Sequence, residues 1–242
     1  MLTERYLCLP LHQIPLEECW LQRQSCPVIA VGEGAIANAD VVVGTAAEAE
    51  LLFERIDRTP LAALTLVQVL RCVEQLPLEA ALTVESLAYA TLQGGADFRA
   101  WLQARDTAPQ LVAGGEGVPI IIERDGNVVR AQLNRPANRN AISVEMRDAL
   151  VELFELLLLD SSIECLQLSG RGDCFSVGGE LREFGLAADP AAAHHIRSIH
   201  SPGILLARCA SRVHCHVHSA CLGSGIELPA FAGHLSADPD SF

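Results

Sequence analysis

Residues 174–181 of the chain read Cys-Phe-Ser-Val-Gly-Gly-Glu-Leu, and residues 220–228 read Ala-Cys-Leu-Gly-Ser-Gly-Ile-Glu-Leu. Each stretch follows an apolar run of strand length and leads towards a predicted helix. Backbone amides at a helix start have no partner within the helix, and small residues let a ligand approach them closely. If the two turns converge, each supplies one N–H to a single oxygen, which predicts an oxyanion hole. Taken singly, each turn is better explained by a tight strand–helix connection.

The sequence around these turns predicts alternating strands and helices from residue 118 onward. Two runs rich in β-branched residues flank Asp-Gly-Asn at residues 125–127, which is a hairpin signal. Ser143 precedes a run with apolar residues at helical spacing and is therefore a predicted N-cap. The predicted order is strand, strand, helix, strand, helix and strand, at residues 120–123, 128–133, after 143, 163–168, 190–200 and 213–217.

The first half of the chain has a different character. Residues 1–105 predict a small, mostly helical α/β unit. Its predicted strands and helices lie at residues 27–31, 39–43, 46–56, 60–76 and 78–104, with a break at Gly94-Gly95 in the last helix. Residues 106–117 are rich in glycine, proline and small side chains and predict a linker. We therefore expect an N-terminal unit at 1–105, a linker at 106–117 and a second domain at 118–242.

Gly32-x-Gly34 follows a predicted strand and raises the alternative of a dinucleotide site. Such a site needs an immediate helix and an acidic residue about 20 positions further on. Asp40 comes too early and lies in the next predicted strand. A plain turn is the favoured interpretation.

Three histidines, His214, His216 and His218, alternate along a predicted strand and so share one face. That spacing could bring imidazoles near a zinc ion. The sequence has no His-Glu-x-x-His motif, however, and hydrogen-bonded or partly exposed histidines are the favoured interpretation. We expect no metal site.

Composition limits the function classes further. Half of the 242 residues are hydrophobic, which excludes a disordered chain. The net charge of −13, with all 17 basic residues being arginine, argues against nucleic-acid or anionic-membrane partners. We find no signal-peptide pattern and no apolar run of the roughly 20 residues that a bilayer requires. Nine cysteines without a Cys-x-x-Cys pair predict reduced thiols and a cytoplasmic location.

Three motifs in fixed order carry a family resemblance. They are Leu-Asn-Arg-Pro-x-x-x-Asn-Ala at 133–141, Phe-Ser-x-Gly-Gly-Glu-Leu at 175–181, and Leu-Gly-Ser-Gly-Ile-Glu-Leu at 222–228. With them, residues 118–242 resemble the crotonase (enoyl-CoA hydratase/isomerase) superfamily. The resemblance implies a spiral of ββα turns, here incomplete at the C-terminus, and a coenzyme A thioester as substrate without a tightly bound cofactor. It also implies a trimer-type homo-oligomer or a complementing C-terminal chain.

The resemblance also implies roles for individual residues. The amides of Gly179 and Ser224 would form the oxyanion hole, with serine standing where the family usually has glycine. Glu227 matches the first of two family glutamates that handle water and protons, and a partly buried carboxylate there could act as acid or base. The alternative is a glutamate near a helix N-terminus that only satisfies the helix dipole. The residues implied in coenzyme A binding are Ala137, Asn138, Arg139, Val177 (through its carbonyl) and Arg182 (at a phosphate).

The second family glutamate would lie about four residues beyond Phe242, so the resemblance leaves the reaction open. A lyase or isomerase acting through an enolate is the leading hypothesis. Thioester hydrolysis is an alternative, because one carboxylate and an oxyanion hole could suffice. A non-catalytic binding or scaffold protein that kept the crotonase core is the third. We expect the chain to be truncated, one piece of a split enzyme, or a divergent relative.

Overall fold

The computed structural model describes residues 4–112, 114–187 and 189–242. Its contacts divide the chain into two units, Met1–Trp101 and Leu102–Phe242. Residues 106–117 thus group with the second unit rather than between the two. Within the described ranges, no helix is both long and apolar enough to cross a bilayer.

A three-stranded parallel sheet forms the centre of the first unit. Its strands are β1 (Leu7–Pro10), β2 (Val28–Val31) and β3 (Val41–Val43), with β2 in the middle. Residues 28–30 of β2 are fully buried, as a continuous apolar run in a parallel sheet predicts. The helices are α1 (Ala46–Arg58), α2 (Pro60–Val73), α3 (Leu78–Gln93) and α4 (Ala96–Gln103).

Local sequence signals explain where these helices start and stop. Thr45 and Glu48 form a capping box at the start of α1, each side chain bonding the other's backbone N–H. Pro60 opens α2 at a position that needs no N–H. The predicted break at Gly94-Gly95 separates α3 from α4.

The Gly32-x-Gly34 turn is filled by its own unit. Both glycines have positive φ, and a Cβ on Gly32 would lie 2.9 Å from the Cβ of Leu11. The turn then leads into β3, which pairs with β2, and not into a helix. Packing against Leu11 therefore accounts for Gly32, as the plain-turn interpretation requires.

The second unit is built on a five-stranded sheet in the order β4-β5-β6-β7-β8. The predicted hairpin forms the antiparallel pair β4–β5, and the remaining strands run parallel. The strands are β4 (Ile120–Asp125), β5 (Val128–Leu133), β6 (Cys165–Gly170), β7 (Val213–Val217) and β8 (His234–Ala237). Strand β6 therefore begins two residues later than predicted, and sequence reasoning did not find β8.

Helix α5 (Val144–Leu159) covers this sheet with a fully buried stripe that includes Met146, Leu150 and Phe154. Ser143 caps it as predicted, accepting the N–H of Met146 at 3.2 Å. Three shorter helices follow: α6 (Pro190–Ile199), α7 (Pro202–Arg208) and α8 (Ser224–Glu227). The α/β class and the ββα order of the second unit are thus confirmed.

The topology also positions the two glycine turns. Strands β6 and β7 are parallel neighbours, and one glycine turn follows each of them. The carboxyl ends of parallel neighbours lie at the same edge of a sheet, where ligands bind in many α/β proteins. The fold therefore places both turns at one edge.

Candidate active site

Backbone hydrogen bonds join the two glycine turns directly. Ser176 and Cys221 form a parallel bridge. The N–H of Leu222 donates to the carbonyl of Ser176 at 3.0 Å, and the N–H of Ser176 donates to the carbonyl of Ala220 at 3.3 Å. The convergence predicted from the sequence is therefore present.

Two glycines allow this close approach. A Cβ on Gly178 would lie 2.3 Å from the carbonyl oxygen of Leu222, and φ at Gly178 is +83°. A Cβ on Gly225 would lie 2.3 Å from the carbonyl oxygen of Ser176. The same Cβ position on Gly178 lies 3.4 Å from the amide nitrogen of Ser224. The start of α8 therefore lies beside the residue that precedes Gly179.

The amides of Gly179 and Ser224 are the candidate oxyanion donors. Both residues are partly exposed. In the described part of the chain, neither amide donates to another protein group, although the following amides of Glu180 and Gly225 do. Two backbone N–H groups on adjoining turns are thus open to a ligand oxygen.

The elements that follow the turns differ from the prediction. A helix was expected after the first turn, but the chain forms only a 3-10 turn at Leu181–Glu183. Gly185, with φ at +92°, follows it in a conformation that no helix continues. After the second turn, α8 is only four residues long, because Pro229 opens a 3-10 turn immediately after Leu228.

Glu227 is the last residue of α8 and lies three positions after Ser224. Residues at this spacing are neighbours on a helix surface, so the side chains of Ser224 and Glu227 lie on the same side of α8. The Glu227 side chain is exposed. The carboxylate of Glu227 therefore lies at the surface and is not partly buried.

The predicted coenzyme A loop contacts the first glycine turn. Ala137 and Asn138 lie in a 3-10 turn, and Arg139 follows with φ at +50°. The carbonyl of Arg139 accepts the N–H of Val177 at 3.1 Å. The structure thus brings together four of the five residues implied in coenzyme A binding.

Arg182, the fifth of these residues, is engaged in an ion pair. Its guanidinium donates to both carboxylate oxygens of Glu180, at 2.8 and 2.7 Å. Glu180 is buried, and the hydrogen bonds from Arg182 hold the pKa of the Glu180 carboxyl below its usual value. Arg182 is therefore paired with a neighbour, although 43% of its side chain is exposed.

Sequence reasoning missed the role of Asn140. This side chain is fully buried, and its amide donates to the carbonyls of Arg171 and Cys174 at 2.9 and 3.1 Å. Its oxygen accepts the N–H of Arg135 at 2.9 Å. Asn140 therefore holds the loop at residues 135–140 against the start of the first turn. Its fixed place in the first motif was the available signal.

Two of the three alternating histidines, His216 and His218, have hydrogen-bond partners within the protein. His214 and His216 lie on the exposed face, as the alternation predicts, and His216 contacts Ser236 at 3.0 Å and Asp238 at 3.3 Å. His218 lies 3.0 Å from the carbonyl of Gly172. Over the described ranges, no group of three or more His, Cys, Asp or Glu side chains could hold a metal ion.

Comparison with known proteins finds a family match that lies within the second unit. Residues 123–239 match the family model described as enoyl-CoA hydratase/isomerase. The resemblance to the crotonase superfamily predicted from the three motifs is thereby confirmed over about half of the chain.

Several curated proteins are similar to this segment. One is the mitochondrial Delta(3,5)-Delta(2,4)-dienoyl-CoA isomerase of Mus musculus, 30% identical over 48% of this chain and 39% of the relative. Another is the enoyl-CoA hydratase EchA19 of Mycobacterium tuberculosis, 36% identical over 27% of this chain and 25% of the relative. A third is 3-hydroxyisobutyryl-CoA hydrolase-like protein 5 of Arabidopsis thaliana, which is 39% identical over 27% of this chain and 17% of the relative. The chain spans less than half the length of each.

Solved structures match about half of this chain and about half of their own chains. An enoyl-CoA hydratase/isomerase from Marinobacter aquaeolei is 25% identical over 51% of this chain and 50% of that chain, with a TM-score of 0.46. An enoyl-CoA hydratase/carnithine racemase from Magnetospirillum magneticum is 27% identical over 52% of this chain and 48% of that chain, with a TM-score of 0.47.

Proposed function

We propose that this chain is a crotonase-type enzyme that acts on acyl-CoA thioesters as a hydratase or isomerase. The observation that carries the proposal is the pairing of the two glycine turns through Ser176 and Cys221. That pairing joins the turns that carry Gly179 and Ser224, which supports a role for their two amides at one oxygen. The family match at residues 123–239 supports the same chemistry.

The two amides would act on the thioester carbonyl. When a proton leaves the carbon beside that carbonyl, or water adds to a conjugated double bond, negative charge develops on the oxygen. Fixed N–H dipoles aimed at that oxygen stabilise the charge without reorganising, which lowers the barrier. Ser224 supplies this donor through its backbone, so the serine side chain does not remove it.

Glu227 would handle the proton. Glu227 lies three residues after Ser224 in α8 and its side chain is exposed, which supports this role. A carboxylate that removes a proton from one carbon and returns it to another completes an isomerisation without a tightly bound cofactor. The loop at 137–139 and Val177 would hold coenzyme A. Self-assembly or a complementing chain, and a cytoplasmic location, belong to the same proposal.

Thioester hydrolysis is the second candidate. The relative from Arabidopsis thaliana is named as hydrolase-like and is 39% identical over 67 residues. In that reaction Glu227 would activate water for attack on the carbonyl carbon, and the same two amides would stabilise the tetrahedral oxyanion.

A substrate panel with a matched pair of variants tests the proposal. The purified chain is incubated with enoyl-CoA and hydroxyacyl-CoA thioesters, and coenzyme A binding is measured by calorimetry. We expect Glu227→Gln to lower kcat by roughly 10²–10⁴-fold while binding is kept, since it removes only the proton-transfer group. Glu123→Gln, an exposed glutamate on β4, should leave both unchanged.

The outcomes separate the hypotheses. Hydration or isomerisation without thioester cleavage supports the leading candidate, and release of free coenzyme A supports the hydrolase. Binding without turnover, unaffected by Glu227→Gln, would show a non-catalytic protein. Failure to bind any coenzyme A compound would refute the proposal.

A further inference from the structure

The ring of Phe184 lies against the first candidate donor. A Cβ built on Gly179 would lie 3.1 Å from Cε1 and 3.2 Å from Cζ of Phe184. Contacts this short place the ring edge directly beside the Cα of Gly179. An aromatic ring is therefore a direct neighbour of the residue that carries this donor.

The turn that carries Phe184 is fixed by Glu183. One carboxylate oxygen of Glu183 accepts the N–H of Val144 at 2.7 Å, at the start of α5. The other oxygen accepts the N–H of Val112 at 3.0 Å. A carboxylate at a helix N-terminus is favoured by the positive end of the helix dipole. Glu183 thus joins the 3-10 turn to α5 and to the segment before β4.

Neighbouring residues fix the turn from both sides. The N–H of Glu180 donates to the carbonyl of Ile142 at 3.0 Å, and the Glu180 side chain accepts the N–H and guanidinium of Arg182. Beyond Phe184, a Cβ on Gly185 would lie 2.8 Å from Cδ1 of Leu102 and 3.2 Å from Cγ of Pro109. The backbone on either side of the ring therefore has little freedom to move away from a ligand.

We infer that Phe184 is a specificity-determining residue, which forms a wall beside the Gly179 amide and selects acyl-CoA thioesters that are unbranched at the α-carbon. The inference rests on the proposed function. A substituent on the α-carbon lies close to the thioester oxygen and would meet the ring edge. Straight acyl chains extend past the ring without that contact. A misplaced methyl group in such a pocket changes kcat/KM by about 10- to 200-fold.

The test compares crotonyl-CoA with its α-methyl homologue, tiglyl-CoA. We expect the wild-type chain to prefer crotonyl-CoA. Phe184→Ala should raise the tiglyl-to-crotonyl ratio of kcat/KM by about 10-fold or more, and Phe184→Leu should raise it by less. Leu186→Ala, which removes a partly exposed side chain two positions further on, is the matched control and should leave the ratio unchanged.

The possible failures are distinguishable. Turnover with an unchanged ratio in both Phe184 variants, with folding verified by circular dichroism, overturns the assignment to Phe184 alone. A wild-type chain that turns over the two substrates equally also overturns it. A wild-type chain that neither binds nor converts either thioester overturns the proposed function, and the assignment falls with it.

Discussion

Gly225 is fixed by the backbone of another turn and not by its own conformation. It lies inside α8, and its Cβ position is only 2.3 Å from the Ser176 carbonyl oxygen. A side chain there must displace backbone, which cannot yield as a flexible side chain can. The identity of this residue therefore follows from the contact between the two turns.

We predict that Gly225→Ala destabilises the second unit by about 1–3 kcal/mol, because the added methyl forces the turns apart. Gly203→Ala is the control, since its Cβ would meet only the Phe231 ring at 3.3 Å. Far-UV circular dichroism during urea unfolding measures both variants. Equal stability of Gly225→Ala and the wild-type chain would contradict the described contact.

At the residue scale, the motifs predicted that the turns carrying Gly179 and Ser224 meet. This was possible because glycine and other small residues mark a turn within a short stretch of sequence. The exposure of Glu227 was not predictable, since it depends on how few residues α8 contains. The Glu180–Arg182 ion pair was missed for a related reason. Spacing alone does not show that a basic side chain turns back to a neighbouring carboxylate instead of facing a ligand.

Helix α2 is tied to the first sheet by one buried arginine. Arg71 donates to both carboxylate oxygens of Asp40, at 2.8 and 2.6 Å, and to the carbonyls of Gln24 and Cys26 at 2.9 and 3.0 Å. The side chains of Arg71 and Asp40 are 7% and 6% exposed. Every charge in this contact has a partner, so removing one partner leaves another buried and unpaired.

We predict that Arg71→Ala destabilises the first unit by about 3–5 kcal/mol, because it strands the Asp40 carboxylate in the interior. Arg58→Ala, at the exposed end of α1, should cost less than about 1 kcal/mol. Both tryptophans, Trp20 and Trp101, belong to the first unit, so tryptophan fluorescence during denaturation follows that unit. A loss in Arg71→Ala no greater than in Arg58→Ala would refute the prediction.

At the element scale, the sequence predicts what periodicity and capping determine. The hairpin β4–β5, the N-cap of α5 and the break after α3 all have local signals. Strand β8 has none, because His-Leu-Ser-Ala carries no β-branched residue and its strand geometry comes from pairing with β7. The helix expected after the first turn does not form. The N–H of Glu180 donates to Ile142 and the Glu180 side chain accepts from Arg182, so this stretch is held in a 3-10 turn.

At the scale of the whole molecule, the cysteines differ in exposure. All nine are free; Cys19 and Cys72 are exposed, and five are buried. Burial raises the pKa of the Cys215 thiol to about 12, and it raises the pKa of the Cys209 thiol as well. The thiolate is the reacting form, so buried thiols react slowly.

We predict that an aromatic disulfide reagent modifies two thiols rapidly in the native chain and all nine after unfolding. The fast phase should vanish in the Cys19→Ser/Cys72→Ser double variant, because these are the exposed thiols. Stopped-flow absorbance of the released thiolate measures both phases. A fast phase that persists in the double variant would refute the prediction and show that a partly or fully buried cysteine reacts rapidly.

The bridge between Ser176 and Cys221 has a consequence for the order of folding. Ser176 and Cys221 are separated in sequence by α6, α7 and β7. Bringing them together therefore costs chain entropy, which is lost before the contacts of the bridge form. During synthesis on the ribosome, residue 176 emerges well before residue 221. A nascent chain therefore cannot join the two glycine turns until residue 221 has emerged.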